Sequence, residues 1–452
     1  MKFHFLFSLL AIFPSHAWAE INTLEQGLAL AYQHDPGLEA QRAKLRATDE
    51  QVSQALSNYR PNIDATGDIG KTKQNIADGG LFSGPNTLTP RDAGINVTQP
   101  VFRGFRTVGS VHSAKATVKA GQAALEDAEQ QLLLDTSKAY LDVLQAQDLV
   151  EINRANEKDL QEQLDITKDR LRIGELKKTD VSQAESRLKI AQVARLQAES
   201  DLSNKRATFS RLVGEMPGTL TPPQLTLDHP QTLEEAVSIA EENNPNVVAA
   251  NYTQEAARSD VTVAKGSLLP EVSLVGSAVR SDEQNVTIPQ RQDNYSIVAK
   301  VTMPLYRSGA DYSKTRAAEQ TVTQRDMELQ DARNKARETA LTSWQTLMAA
   351  RDSIAGDKEA LAATDQALYG VKEEAKVGTR TTLDILNAQQ ELLNARTSLV
   401  KAVHDEALAV VQVKAAIGTL TAQALQLPVH LYDPSINYQK ARAQWVGLDI
   451  KD

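Results

Sequence analysis

Two proline-free segments, from Gly104 to Gly174 and from Gly309 to Gly378, each contain a stretch in which a hydrophobic residue recurs at every seventh position. The recurring positions are Val111, Val118, Leu125, Leu132, Ala139 and Ala146 in the first segment, and Leu347, Ile354, Leu361, Leu368 and Ala375 in the second. This spacing, among residues that favour helices, predicts long helices that pack as in a coiled coil. About seventy residues at about 1.5 Å each make a rod of roughly 100 Å, several times longer than a typical globular helix.

Four shorter segments alternate between apolar and polar residues, at about 62–73, 91–102, 271–281 and 293–304. In the first of them, Ile63, Ala65, Gly67 and Ile69 alternate with Asp64, Thr66, Asp68 and Gly70. Such alternation predicts strands with one apolar face and one wet face. A strand of about ten residues is long enough to cross a bilayer obliquely, but the same pattern also builds soluble β-sandwiches.

The surroundings of these segments favour membrane strands. They lie between the long rods, and their connecting loops, Thr72 to Arg91 and Ser281 to Gln292, are rich in Gly, Asn, Asp and Gln. Four strands cannot close a membrane barrel, because the smallest has about eight. Two copies would supply about eight strands and three about twelve, and only the wider barrel leaves a water-filled lumen. We therefore expect an oligomer.

The chain contains an internal duplication. Thr23-Leu24-Glu25 and Asp35-Pro36 match Thr232-Leu233-Glu234 and Asn244-Pro245, and Pro100-Val101-Phe102-Arg103 matches Pro304-Leu305-Tyr306-Arg307. A period of about 200 residues indicates a duplicated domain rather than a solenoid of short repeats.

The predicted organisation follows this duplication. A signal peptide at 1–19 precedes a first repeat at 20–218, a linker at 219–230, a second repeat at 231–420 and a tail at 421–452. The first repeat contains a long helix at about 104–173, a turn at 174–180 and a helix at 179–213. The second contains a long helix at about 308–377, a turn at 378–384 and a helix at 383–417. The helices at 36–59 and 179–213 together nearly equal the first rod in length, so we expect them to stack end to end alongside it.

The N-terminus has the pattern of a secretory signal. Lys2 supplies the charge, Phe3 to Phe13 the apolar run, and Ala17-Trp18-Ala19 the cleavage site, so the mature chain is expected to begin near Glu20. The apolar run is too short for a membrane anchor, and no later run is long enough for a transmembrane helix. The mature protein is therefore expected to be exported, either soluble or inserted as β-strands.

Composition argues against several classes of function. The net charge of −9 disfavours a nucleic-acid partner. The absence of Cys excludes a lipid-modified N-terminal cysteine and a disulfide framework. The seven His residues are scattered, and there is no phosphate-binding loop or nucleophile motif. The sequence therefore predicts neither an enzyme nor a bound metal or cofactor.

The signal peptide, the duplication, the strand pairs that interrupt long helices, and the turns Gly174 to Asp180 and Gly378 to Asp384 together resemble the TolC family of outer-membrane efflux and secretion channels. The resemblance extends from about Asn22 to Gly418. It implies a mainly α fold with a transmembrane β part: a homotrimer whose twelve-stranded barrel continues into a coiled-coil tunnel across the periplasm. The tail would join the equatorial region of that tunnel.

The resemblance also implies a function. The chain would be a passive exit duct in the cell outer membrane for tripartite efflux or type I secretion, gated at its periplasmic end. Its partners would be two further copies, outer membrane lipid, a periplasmic adaptor (membrane fusion protein), and an inner-membrane ABC or proton-driven transporter. The alternative is a soluble periplasmic coiled-coil adaptor or scaffold, although adaptors usually carry one helical hairpin per chain and this chain has two.

The family's gate lies at the two turns farthest from the strands. By resemblance, Arg380 would link to Thr179 and Asp180 of the neighbouring subunit, and Asp384 would form a ring of carboxylates at the constriction. Asn387 replaces a second acidic residue, and Ala375 stands where a gate tyrosine occurs. We therefore expect a less anionic and less tightly latched entrance.

A simpler interpretation of the same residues remains open. Asp180 and Asp384 lie in the first turn of predicted helices, where a carboxylate stabilises the positive end of the helix dipole. Thr179 and Thr382 are interpreted as ordinary N-cap residues.

Overall fold

A computed structural model describes residues 21–77, 84–227, 229–283 and 291–448. The predicted signal peptide lies outside this part of the chain. In chain order the elements are α1 (Leu24–His34), α2 (Pro36–Ser57), β1 (Asn62–Ile69), β2 (Thr72–Ile76), β3 (Gly84–Leu88), β4 (Arg91–Arg103), α3 (Arg106–Arg172), α4 (Lys178–Val213), α5 (Leu233–Asn243), α6 (Pro245–Gly266), β5 (Glu271–Asp282), β6 (Gln292–Thr302), α7 (Ala310–Lys376), α8 (Thr382–Ala416) and α9 (Pro434–Ala443).

The two rods, α3 and α7, are each a single helix of 67 residues. All six heptad positions of α3 are buried, whereas Ile354 and Leu361 of α7 are only half-buried. Each rod ends at a glycine with positive φ, Gly174 at 83° and Gly378 at 80°. There the Glu175 amide donates to the Arg170 carbonyl, which satisfies the last turn of α3 as in a Schellman motif.

Shorter helices line the two halves of α3. Val52 and Ala55 of α2 pack on Val111 and Val118 near its start. Farther along, Ala184, Leu188 and Ala191 of α4 pack on Leu160 and Leu164 of α3. The helices α6 and α8 pack along α7 in the same order. Each repeat therefore supplies two strips of helix, as the helix lengths predict.

The four main strands form one antiparallel sheet in the order β1-β4-β5-β6. Directly opposed residues of antiparallel strands point to the same face. One row of opposed residues is Ile63, Val97, Gly276 and Ile297, and the adjacent row on the other face is Asp64, Asn96, Ser277 and Ser296. The register therefore places most apolar residues of the four strands on one face and most polar ones on the other, although Val275, Val279 and Val298 lie on the polar face.

The sheet is open. Every described residue of β1 and β6 is exposed, and among the described strands neither has a partner on its outer edge. Two long unpaired edges on one small sheet are usually avoided in isolated proteins, because they invite pairing with another chain.

The predicted first strand and its loop need correction. β1 ends at Ile69, and β2 and β3 form a separate two-stranded sheet within the segment predicted to be a loop. Gly70 breaks the strand, and its amide donates to the carbonyl of Pro90, which itself lacks an amide hydrogen. Most of the corresponding loop of the second repeat, 284–290, lies outside the described residues.

The largest hydrophobic cluster surrounds the middle of α3. It unites α1, the end of α4, residues 214–225 and the tail from Leu420 onward; we call this part the equatorial region. Tyr140 is fully buried there, and its hydroxyl lies 2.9 Å from the Asn22 carbonyl and 2.7 Å from the Thr221 carbonyl. The middle of the rod is thus enclosed by segments from both ends of the described chain. Among the described helices, none combines the length and apolarity needed to cross a bilayer.

Candidate functional site

The candidate site is the tip formed by the α3–α4 and α7–α8 turns, at the ends of the rods opposite the sheet. The N-cap of α8 is Thr381, whose backbone is extended and whose Oγ1 accepts from the Asp384 amide at 3.2 Å. The N-cap of α4 is Lys177. The prediction that Thr179 and Thr382 are N-caps was therefore wrong, because both are already helical; Thr382 is buried and Thr179 is exposed.

Both predicted gate carboxylates cap the helices that carry them. Asp384 Oδ2 accepts from the Thr381 amide at 2.9 Å and from the Thr381 hydroxyl at 2.8 Å. These hydrogen bonds, the backbone one first, hold the pKa of Asp384 below its usual value, so the group is charged at neutral pH. Asp180 accepts from the Lys177 amide at 2.9 Å. Within one chain, the capping interpretation of these two residues is confirmed.

Arg380 interacts with its own hairpin. Its Nε lies 2.8 Å from Glu374 Oε2, and both side chains are about half exposed. The hydrogen bond to Glu374 raises the pKa of Arg380. Thr379 closes the same turn through its amide, which donates to the Glu374 carbonyl. An intersubunit link from Arg380 would therefore replace or extend this exposed ion pair.

Asn387 connects the two hairpins of one chain. Its Oδ1 accepts from an Arg187 guanidinium nitrogen of α4 at 3.1 Å. Leu386, one residue earlier, is buried against the α3–α4 pair. Sequence reasoning missed Arg187, although it lies seven residues after Asp180 and so on the same face of α4.

Ala375 is only 3% exposed and packs with Leu368, Ile385 and Leu392 between α7 and α8. A methyl group at this position lets the two helices close against each other and places no hydroxyl at the tip. Within the described part of the chain, no group of three or more His, Asp or Glu residues could hold a metal ion.

The model of the outer membrane efflux protein family matches residues 27–215 and 236–419, which is both repeats and most of the chain. The chain belongs to this family. It is 34% identical to the outer membrane efflux protein BepC of Brucella suis, over 95% of this chain and 92% of that protein. It is 27% identical to the outer membrane protein TolC of Vibrio cholerae, over 93% of this chain and 95% of that protein.

The fold is also similar to those of solved outer membrane channels. The solved outer membrane channel CmeC of Campylobacter jejuni superposes with a TM-score of 0.80, covering 93% of this chain and 89% of that one at 16% identity. Membership of this family and the similarity to TolC confirm the predicted resemblance to the TolC family and place the protein in the outer membrane. A soluble periplasmic adaptor does not fit that location.

Proposed function

We propose that three copies of this chain form a passive exit duct through the outer membrane, serving tripartite efflux or type I secretion. The observation that carries the proposal is the open sheet. A row of apolar residues crosses all four strands on one face, a row of polar residues crosses them on the other, and both edges of the sheet lack partners among the described strands.

Closing three sheets into a ring would account for both the apolar face and the unpaired edges. If β6 of one copy pairs with β1 of the next, three sheets close into about twelve strands with the apolar face toward lipid and the polar face toward a water-filled lumen. The hydrophobic face then leaves water and no edge remains unpaired. Asp64, Asn96, Ser277 and Ser296 would line the lumen.

The helices extend the same bore. Because α3 and α7 begin where β4 and β6 end, the rods continue directly from the sheet for roughly 100 Å each. In a trimer, α7 of one copy would lie beside α2 and α4 of its neighbour and close a helical wall below the barrel. The duct itself needs no bound cofactor. Energy and cargo selection would come from an inner-membrane ABC or proton-driven transporter, recruited through a periplasmic adaptor.

The tip would act as the gate. Arg380 would exchange part of its interaction with Glu374 for Asp180 and Thr179 of the neighbouring copy, a charge-assisted link repeated three times. Three Asp384 carboxylates would form an anionic ring at the narrowest point. Asn387 would leave the next ring neutral, in keeping with its hydrogen bond to Arg187.

Engineered cysteines test the ring, because the chain has no cysteine of its own. Ser296→Cys on β6 is combined in turn with Asp64→Cys, Thr66→Cys or Asp68→Cys on β1, and a crosslinker shorter than about 10 Å is added to membranes. Within one sheet β1 and β6 are separated by three strand spacings, about 14 Å, which such a reagent cannot bridge. At least one pair should give bands of two and three chains and nothing larger.

A matched control uses Asn96→Cys with Ser277→Cys, which lie directly opposite each other within one chain. This pair should react with the crosslinker within one chain and give no band of two or three chains. If every edge pair gave only single chains while the control reacted, the proposed ring would be wrong.

A further inference from the structure

The end of the tail is fixed against the junction between α2 and β1. The Gln444 carbonyl accepts from Ser53 Oγ and from an Arg60 guanidinium nitrogen, each at 3.3 Å. Seven residues earlier, Asn437 of α9 donates to Asp49 Oδ2 of α2 at 2.7 Å. The backbone just before Trp445 is therefore held at the place where the helical part gives way to the sheet.

Three large apolar side chains follow this fixed point and remain uncovered. Trp445 is 68% exposed, Val446 88% and Leu448 99%. The Arg60 guanidinium lies 4.4 Å from the Trp445 ring centroid and covers one face of the ring. A cluster of exposed apolar residues on an anchored backbone marks an interaction surface.

The position of this cluster indicates its partner. Arg60 precedes the first residue of β1 by only two positions, and exposed Tyr59 is its neighbour. At the same end of the sheet, Leu305 and Tyr306 after β6 are also exposed. The cluster therefore lies at the helix-proximal end of the sheet, at the level of other exposed apolar side chains.

The surrounding charge is complementary to a phospholipid surface. Lys440 and Arg442 of α9 are exposed and precede Trp445 by five and three residues, and Arg60 stacks on Trp445. Trp favours the boundary between headgroups and acyl chains, while Arg and Lys favour anionic phosphates there. A purely apolar protein partner would not match these three cations.

We propose that Trp445, Val446 and Leu448, together with Arg60, form an interfacial anchor that inserts into the lipid leaflet at the helix-proximal end of the sheet. The partner is a phospholipid surface. The anchor presupposes the membrane-spanning ring proposed above. It gives the tail a role: it ties the equatorial region to the bilayer.

Tryptophan fluorescence tests the anchor directly. The sequence has three Trp residues, of which Trp18 lies in the predicted signal peptide. Trp344→Phe therefore leaves Trp445 as the tryptophan of the mature chain. The trimer is reconstituted into phosphatidylethanolamine–phosphatidylglycerol vesicles whose acyl chains carry bromine either near the carboxyl end or near the methyl end. Trp445 should lose most of its emission with the shallow bromines and much less with the deep ones.

The matched control is Trp445→Phe, which leaves Trp344 half-buried against α8 in the helical part. Its emission should not change with either brominated lipid. If Trp445 is not quenched by bromine but is quenched by aqueous iodide, it lies in water. If neither agent quenches it, it is buried against another copy. Either result overturns the anchor.

Vesicle flotation separates this outcome from failure of the proposed function. A protein that does not float with the vesicles would contradict the membrane-spanning ring itself. A protein that floats and forms trimers, but whose Trp445 is unquenched by bromine, contradicts only the anchor.

Discussion

The middle and the tip of α3 belong to the same helix but have different surroundings. In the middle, Leu133, Tyr140 and Val143 are fully buried in a cluster built from several distant segments. At the tip, Leu160 and Leu164 belong to a smaller cluster, with residues of α4 and Leu386 of α8. The middle is therefore tied to more of the chain than the tip is.

Polar contacts show the same difference. His404 of α8 is nearly buried in the middle of the rods, with Nε2 2.9 Å from Asp142 of α3 and Nδ1 2.9 Å from Asp405, while Lys205 of α4 lies 2.8 Å from Asp142. At the tip, the pair Arg380–Glu374 is exposed. Exposed pairs contribute little to stability because water screens them. The polar contacts of the tip are therefore weaker than those in the middle.

The largest expected effect is on core packing in the middle. Leu133→Ala should lower the free energy of unfolding by about 2–5 kcal/mol, because it leaves a cavity in an enclosed cluster. The matched control is Leu383→Ala at the exposed start of α8, which should change it by less than about 0.5 kcal/mol. Denaturant unfolding in detergent measures both. Equal losses in the two variants would contradict the enclosed packing of Leu133.

The next effect is on conductance. Arg380→Ala should raise single-channel conductance in planar bilayers severalfold, because it removes the proposed link to the neighbouring Asp180 and Thr179. Unfolding stability should hardly change. Arg172→Ala, which removes an exposed ion pair with Asp169 at the other turn, is the control and should leave conductance as it was. Unchanged conductance in Arg380→Ala would count against a latch at that residue.

Ion selectivity should respond to a smaller extent. Asp384→Asn should shift the reversal potential in a salt gradient toward zero and weaken block by large cations, because it removes three charges from the constriction. Asn387→Asp should have the opposite effect by adding a second ring. If neither change moved the reversal potential, Asp384 and Asn387 would not lie at the constriction.

The smallest effect concerns pH. Hydrogen bonding to Asp142, opposed by burial and supported by Asp405, raises the pKa of His404 above its ordinary 6.5. Since the folded-state pKa is raised, the stabilisation is fully present below pH 6.5 and is lost as the pH rises through the raised value. The melting temperature should therefore fall modestly over that window, and His404→Gln should flatten the fall. An identical pH profile in the variant would exclude His404 as the cause.

Burial pushes the pKa of Asp142 upward, but hydrogen bonds from His404 and Lys205 outweigh it, so its net pKa lies below the ordinary 3.8. The stability that Asp142 contributes is thus present above that ordinary value and is lost only as the pH falls through the lowered one. This loss lies far below the window of His404, so the two effects do not overlap.

Regular repeats made much of the fold predictable. The heptad positions of α3 are all buried, and the period-two residues of the four strands share a face, since both patterns are local consequences of backbone geometry. The β2–β3 sheet was missed because Gly- and Asn-rich segments carry no strong period.

Side-chain partners were harder to predict than elements. The bond between Arg187 and Asn387 joins residues 200 positions apart, and His404 finds Asp142 across 262 positions. Such pairs depend on which helices become neighbours, which no local pattern encodes. The N-caps were shifted by one or two residues because Lys177, Lys178 and Thr179 are adjacent at one turn and Thr381 and Thr382 at the other.

The mass of the folded protein tests the trimeric ring most directly. Native mass spectrometry of the mature chain, extracted from outer membranes in mild detergent, should give a single species of three chains. A species of one chain, with its sheet edges still unpaired, would contradict the ring on which the duct depends.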